Sequence, residues 1–176
     1  MFDERAKTLE ALQFAIQMEI DGKEYYQKAS QESDNKLGKE LFQWLAAEEE
    51  KHRQRFEEIF NAIKSRKTWQ DVDVQHGWGE RLKTLFAEAM KTADANISAH
   101  QAEHDAIVKA MDMENKTHDF YKSQGEKAIY DAERKFYQAL AAEEQGHYLA
   151  LVDYREYLID PAGWFFKSEH PSLDGG

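Results

Sequence analysis

The sequence predicts an all-α protein, a left-handed four-helix bundle with one long crossover and a short non-helical C-terminal tail. Three observations carry this. Proline occurs only at Pro161 and Pro171, after four long stretches that read as helix. Alternating runs of β-branched residues are missing, while the strong helix formers Ala, Leu, Glu, Gln and Lys dominate. One pattern of Glu, Tyr and His also occurs twice at a fixed separation, each copy spread over two of the helical stretches. The bundle is assigned residues 1–160 and the aromatic tail residues 161–176.

The first helix is expected from Arg5 to Ser30, with Leu9, Leu12, Ile16, Glu19, Lys23 and Tyr26 on one stripe. A polar break, Gln31 to Asn35, follows, and Ser33 or Asp34 can cap the next helix. The second helix reaches Lys64 and buries Leu41, Leu45, Phe56 and Phe60. So short a break joins antiparallel neighbours in a bundle. Ser65 to Gly79, with Trp69, Trp78 and two glycines, reads as the long crossover, and Glu80 to Lys91 as a short helix or the start of a long one. The third main helix spans Asn96 to Lys122 and ends near Gly125, and the fourth runs from Lys127 to Ile159. Asp160-Pro161 ends it, because proline disfavours helix in the preceding residue. Trp164, Phe165 and Phe166 are expected to pack the tail on the bundle or on a neighbouring subunit.

Composition narrows the function classes. A formal net charge of -11 argues against nucleic acid or an anionic membrane as partner. The absence of cysteine excludes disulfides, thiolate zinc sites, iron–sulfur clusters and cysteine nucleophiles. A bound metal must therefore be held by carboxylate, imidazole or water. No apolar stretch approaches the length of a membrane span, and a cytoplasmic location is expected.

The repeated pattern supplies the chemistry. The first copy reads Met18-Glu19 with Tyr26, then Leu45-Ala46-Ala47-Glu48-Glu49 with His52. The second reads Met113-Glu114 with Tyr121, then Leu140-Ala141-Ala142-Glu143-Glu144 with His147. Every matched pair is 95 positions apart. Glu49 and His52 are three apart, as are Glu144 and His147, so each pair projects from one helix face. Their neighbours on those faces are apolar, which places the charges on core stripes.

A single Glu-x-x-His carries little, since a chain this rich in glutamate yields about one by chance. The equal offset of two such pairs, with both tyrosines, carries far more. Burying one unpaired carboxylate costs several kcal/mol, so four together need protons, partners or cations. Two divalent metals would balance four carboxylates, and each histidine would supply one nitrogen. One Glu from each of two helices and Glu-x-x-His from each of the other two is the arrangement of di-iron and di-manganese bundle proteins. The alternative is a duplicated bundle that has lost its metal and kept its buried polar residues.

Over residues 5 to 160 the chain resembles the ferritin-like di-iron carboxylate proteins, and within them the rubrerythrin family without its rubredoxin domain. The resemblance implies two iron ions, with manganese or zinc also possible. It implies Glu19 and Glu114 as terminal ligands, Glu49 and Glu144 as bridges, and His52 and His147 completing one metal each. Tyr26 and Tyr121 would hydrogen-bond to ligand carboxylates and orient them. The implied activity is reduction of peroxide or dioxygen in oxidative-stress defence or iron handling, with an external donor such as rubredoxin and a homodimeric assembly. Ferroxidase-type iron binding and a metal-stapled bundle without turnover are the alternatives.

Two features depart from rubrerythrins proper. Met111 stands where they add a glutamate, with Asp112 rotated away by roughly a hundred degrees. The cysteines of their electron-delivering domain are also missing. The six-residue set resembles a bacterioferritin oxidation centre instead, although Glu50 stands where those proteins carry a haem-binding methionine. Other polar residues are given lesser roles. His118 could sit above the metals but reads as a partly exposed structural residue. His100 and His104, accompanied by Glu103, read as surface residues. Glu48 and Glu143 are expected on a flank or subunit interface, and Glu169 and His170 away from the site.

Overall fold

The computed structural model describes residues 2–65, 69 and 101–169. Five helices follow in order: α1 (Phe2–Glu32), α2 (Lys36–Lys64), α3 (Gln101–Lys127), α4 (Asp131–Ile159) and α5 (Pro161–Glu169). No strand occurs among the described residues. α1 packs along α2 and α3 along α4, giving two antiparallel hairpins that meet through α1 with α3 and α2 with α4. The expected crossover, apart from Ser65 and Trp69, the short helix Glu80 to Lys91 and the first residues expected of the third helix lie outside the described residues. Trp69 packs on Phe136 and Tyr137, with ring centroids 5.8 and 6.0 Å away.

Each hairpin follows from local chemistry. On α1, Leu12, Ala15, Glu19, Tyr26 and Ala29 are buried at helical spacing and define one inward face. The α1–α2 turn is capped by Asn35, whose Oδ1 accepts from the backbone N–H of Leu37 (2.9 Å) and Gly38 (3.3 Å). The sequence favoured Ser33 or Asp34 for this role. Ser33 is instead turned toward Glu103, its hydroxyl 2.8 Å from that carboxylate. Four-helix packing leaves two apolar clusters. One gathers Tyr26, Leu41, Phe42, Leu45, Ile107, Leu151 and Tyr154. The other gathers Leu12, Phe56, Tyr121, Phe136, Tyr137 and Leu140. Each fully buried leucine or phenylalanine among them contributes about 1.5–3 kcal/mol. On every long helix the ligand-type residues of the repeated pattern, Glu19, Glu49 and His52, Glu114, and Glu144 and His147, fall between the segments that feed these clusters. A polar layer therefore crosses the bundle between two dry ends.

The tail corrects the sequence reading, because residues 161–169 are helical. Asp160-Pro161 ends α4 and also starts α5. The Asp160 side chain accepts from the Gly163 N–H at 3.0 Å, and its carbonyl accepts from the Trp164 N–H at 2.9 Å. Proline sits at the first helical position, where its missing donor costs nothing. Trp164 is buried, donates from Nε1 to Asp153 Oδ1 at 2.9 Å and packs edge-on against Tyr157. The tail thus packs on α4 of its own chain. No described helix is long and apolar enough to cross a membrane.

Candidate metal centre

The polar layer is built from one residue on each of α1 and α3 and two on each of α2 and α4. Glu19, Glu49, His52, Glu114, Glu144 and His147 are each no more than 3% exposed. They form two overlapping groups: Glu19, Glu49, His52 and Glu144, and Glu49, Glu114, Glu144 and His147. Within each group every residue offers one ligand atom, and these atoms lie within 4.8 Å of one another. Glu49 and Glu144 belong to both groups. The structure thus brings together all six residues singled out by the repeat, and it shares the two that were expected to bridge.

The imidazoles face the carboxylates with Nδ1. His52 Nδ1 lies 3.5 Å from Glu19 Oε2 and 3.0 Å from Glu144 Oε1. His147 Nδ1 lies 3.4 Å from Glu49, 3.6 Å from Glu114 and 3.5 Å from Glu144. The two rings are stacked, with centroids 5.5 Å apart. Glu19 Oε2, Glu49 Oε1, both oxygens of Glu144 and the Nδ1 of each histidine are buried without a hydrogen-bond partner among the described residues. Such orphaned atoms are rare in a native core. Six of them converging on one layer fit cations, which would satisfy them all, and a carboxylate–imidazole donor set suits iron, manganese or zinc.

Electrostatics agree with that fit. Burial pushes the carboxyls of Glu49 and Glu114 well above the usual range, and neighbouring carboxylates push the same way. Burial acts on Glu144 as well, but the two imidazoles outweigh it and hold this carboxyl well below the usual range. Burial would lower both histidines, yet the surrounding carboxylates raise each well above an ordinary imidazole. The cluster holds protons tightly where cations could replace them.

The tyrosines act across the repeat. Tyr26 donates to Glu114, and Tyr121 donates to Glu19. Both phenols are pushed well above their ordinary value, by burial first and by the adjacent carboxylates second, so they remain donors. Gly22 lies over Glu49, where an added Cβ would sit 3.3 Å from Oε2.

Several lesser expectations change. Glu48 and Glu143 are buried rather than on a flank. Glu143 Oε2 lies 2.8 Å from His52 Nε2, and Arg55 Nη1 lies 3.3 Å from both Glu143 oxygens. Glu143 is the functional residue that the spacing missed. Its only sequence signal is that it repeats with Glu48. Glu103 is not a surface companion of His104, since it accepts from Ser33 and from the Tyr154 hydroxyl at 2.7 Å. His118 stands apart from both groups, with its side chain 26% exposed and Nδ1 beside Asp119. Met111 packs against an apolar cluster, so no fifth carboxylate enters there. Glu50 pairs with Lys23 and Arg53 at the surface. His100, His170 and the Glu169 side chain lie outside the described residues.

A four-helix bundle with a buried layer of four glutamates and two histidines defines a class, the carboxylate-rich metal-binding bundles. Residues 10–153 match the family model for rubrerythrin, and the chain belongs to the rubrerythrin family. Neither a curated protein nor a solved structure gives a significant match.

Proposed function

We propose that the protein is a non-haem di-iron oxidoreductase of rubrerythrin type, reducing hydrogen peroxide or dioxygen in oxidative-stress defence or iron handling. The observation that carries it is the pair of overlapping ligand groups sharing Glu49 and Glu144. Glu19 and His52 would complete one metal position, and Glu114 and His147 the other. When bound, a ferrous pair supplies two electrons, and peroxide with two electrons and two protons gives two waters. The protein's own part is positioning and exclusion of water. Tyr121 and Tyr26 hold the terminal carboxylates in place from opposite sides of the bundle. The apolar clusters above and below keep bulk water from the layer, which strengthens electrostatic interactions inside it. A separate donor such as rubredoxin would return the electrons. The proposal extends to a cytoplasmic homodimer. Exposed Val108 and Leu149 on the second hairpin offer apolar surface for self-association.

The position of Met111 favours a second reading, ferroxidase-type iron oxidation, because a six-ligand set needs no exchanging fifth carboxylate. Manganese or zinc could be held by the same residues but would remove the iron redox step. One experiment separates these. Protein loaded with two ferrous ions anaerobically is treated with peroxide, and the near-ultraviolet absorption of ferric iron is followed. The peroxidase reading expects that absorption to appear and then disappear on addition of a reductant, over many cycles. Iron oxidation without renewed turnover supports the ferroxidase reading. No spectral change in protein that contains two irons would overturn both.

A further inference from the structure

The two halves of the centre repeat one another, so a difference between them must arise where the repeat is broken. Three of the breaks on α2 around His52 bear on its surroundings. Lys51, Arg55 and Trp44 stand opposite Gly146, Ala150 and Ala139, each pair 95 positions apart. None of the three counterparts on α4 carries a charge or a ring.

Arg55 holds the Glu143 carboxylate beside His52, with Nη1 3.3 Å from both oxygens. Glu143 Oε2 lies 2.8 Å from His52 Nε2. The far side of this imidazole is therefore anchored while Nδ1 faces the carboxylates. By the repeat, Glu48 should do the same for His147. Lys51, one turn further along α2, takes Glu48 instead at 2.6 Å. Gly146 offers Glu143 no such competitor. His147 Nε2 is buried without a hydrogen-bond partner among the described residues. Beside its ring stands the Trp44 indole, edge-on at 5.4 Å. Among the other ligands, Glu19 and Glu114 each accept one tyrosine hydroxyl, and Glu49 and Glu144 belong to both groups.

Building on the metal-binding reading above, we propose that the two metal positions are unequal by construction. The position completed by His52 is the tight, resident one. The position completed by His147 is the weaker one, from which a divalent transition-metal cation exchanges. Glu143 and Lys51 are the positioning residues that set the difference. An imidazole whose second nitrogen donates to a carboxylate is fixed in tautomer and orientation and is a more basic ligand, and losing such a partner costs about 10–100-fold in metal affinity. Ferrous iron could then enter and leave one position while the other keeps its ion.

The test uses cobalt(II) as the probe, titrated into the full-length, metal-stripped protein in competition with a chelator. Two steps of one ion each are expected. Shared carboxylates alone could separate the steps, so the substitutions identify the positions. Glu143→Gln should weaken the first step about 10-fold or more. Lys51→Ala frees Glu48 for His147 and should strengthen the second step about 10-fold, leaving the first unmoved. Lys51 is half exposed and alanine favours helix, so this variant decides the matter even where Glu143→Gln folds poorly. Two equal steps in the unsubstituted protein, or a second step that Lys51→Ala leaves unmoved, would overturn the inequality while leaving metal binding intact. Uptake of no cobalt would overturn the metal reading itself.

Discussion

Tyr121 reaches across the bundle to Glu19, and Tyr26 reaches back to Glu114, so each half supplies the clamp for the other. Tyr121→Phe would leave Glu19 buried without that donor at a cost of about 1–3 kcal/mol in the metal-free protein. It should also weaken metal binding about 10–100-fold, because the terminal carboxylate loses its orientation. Urea unfolding and chelator competition measure the two effects. An unchanged metal affinity would mean that the ring only packs. The seven-residue spacing was enough to put Glu19 and Tyr26 on one face, but not to show that they act on opposite partners. Glu143 shows the same limit more sharply. Helical periodicity separates the faces of one helix, whereas the partner of a residue next to the ligand face depends on which helix lies beside it. That neighbour is α2, and it brings His52 and Arg55 to Glu143.

At the level of elements, the close approach of α2 to α3 and α4 depends on Gly38. A Cβ built there would lie 2.3 Å from the Tyr154 hydroxyl, 2.4 Å from Glu103 Oε1 and 2.6 Å from Ser33 Oγ. Alanine improves helix propensity by about 1 kcal/mol over glycine. Overpacking a buried network costs about 1–3 kcal/mol and breaks the hydrogen bonds that Glu103 accepts. Crowding should win, so Gly38→Ala is expected to lower the melting temperature by several degrees in a thermal scan. A rise would show that the network yields freely. The sequence located the long helices well, since their apolar stripes and polar breaks are strong signals. It misjudged the tail because Asp160-Pro161 was read only as a terminator. The same dipeptide provides a capping carboxylate and a proline at the first helical position, and Trp164 then docks on α4. The sequence stripe carries no record of a short helix whose stability comes from a single buried ring and one cap.

Across the whole molecule, the polar layer between two dry clusters ties folding to protons and to metal. His52 and His147 are held well above the ordinary imidazole value despite burial, because carboxylates surround them. Glu49 and Glu114 are held well above the carboxylate range, chiefly by burial. In the unfolded chain these groups return to about 6.5 and about 4.3. A group whose pKa is raised on folding adds stability below its unfolded value and loses that stability as pH rises through its folded value. Both histidines and both carboxyls therefore act in one direction. Glu144, held low by the two imidazoles, acts in the other, but its contribution is lost only in acid, below the ordinary carboxylate value. The chelated protein should accordingly lose melting temperature as pH rises from about 6 to about 9. Cations reverse the trend, because they take the place of those protons and bind better as pH rises. Free metal at about a thousand times its dissociation constant adds about 4 kcal/mol. The gap between loaded and chelated melting temperatures should therefore widen steadily with pH. Parallel thermal scans with metal and with chelator measure it directly. A chelated protein whose melting temperature stays level or climbs over that range would show that protons do not balance this cluster, and that its buried carboxylates are compensated in some other way.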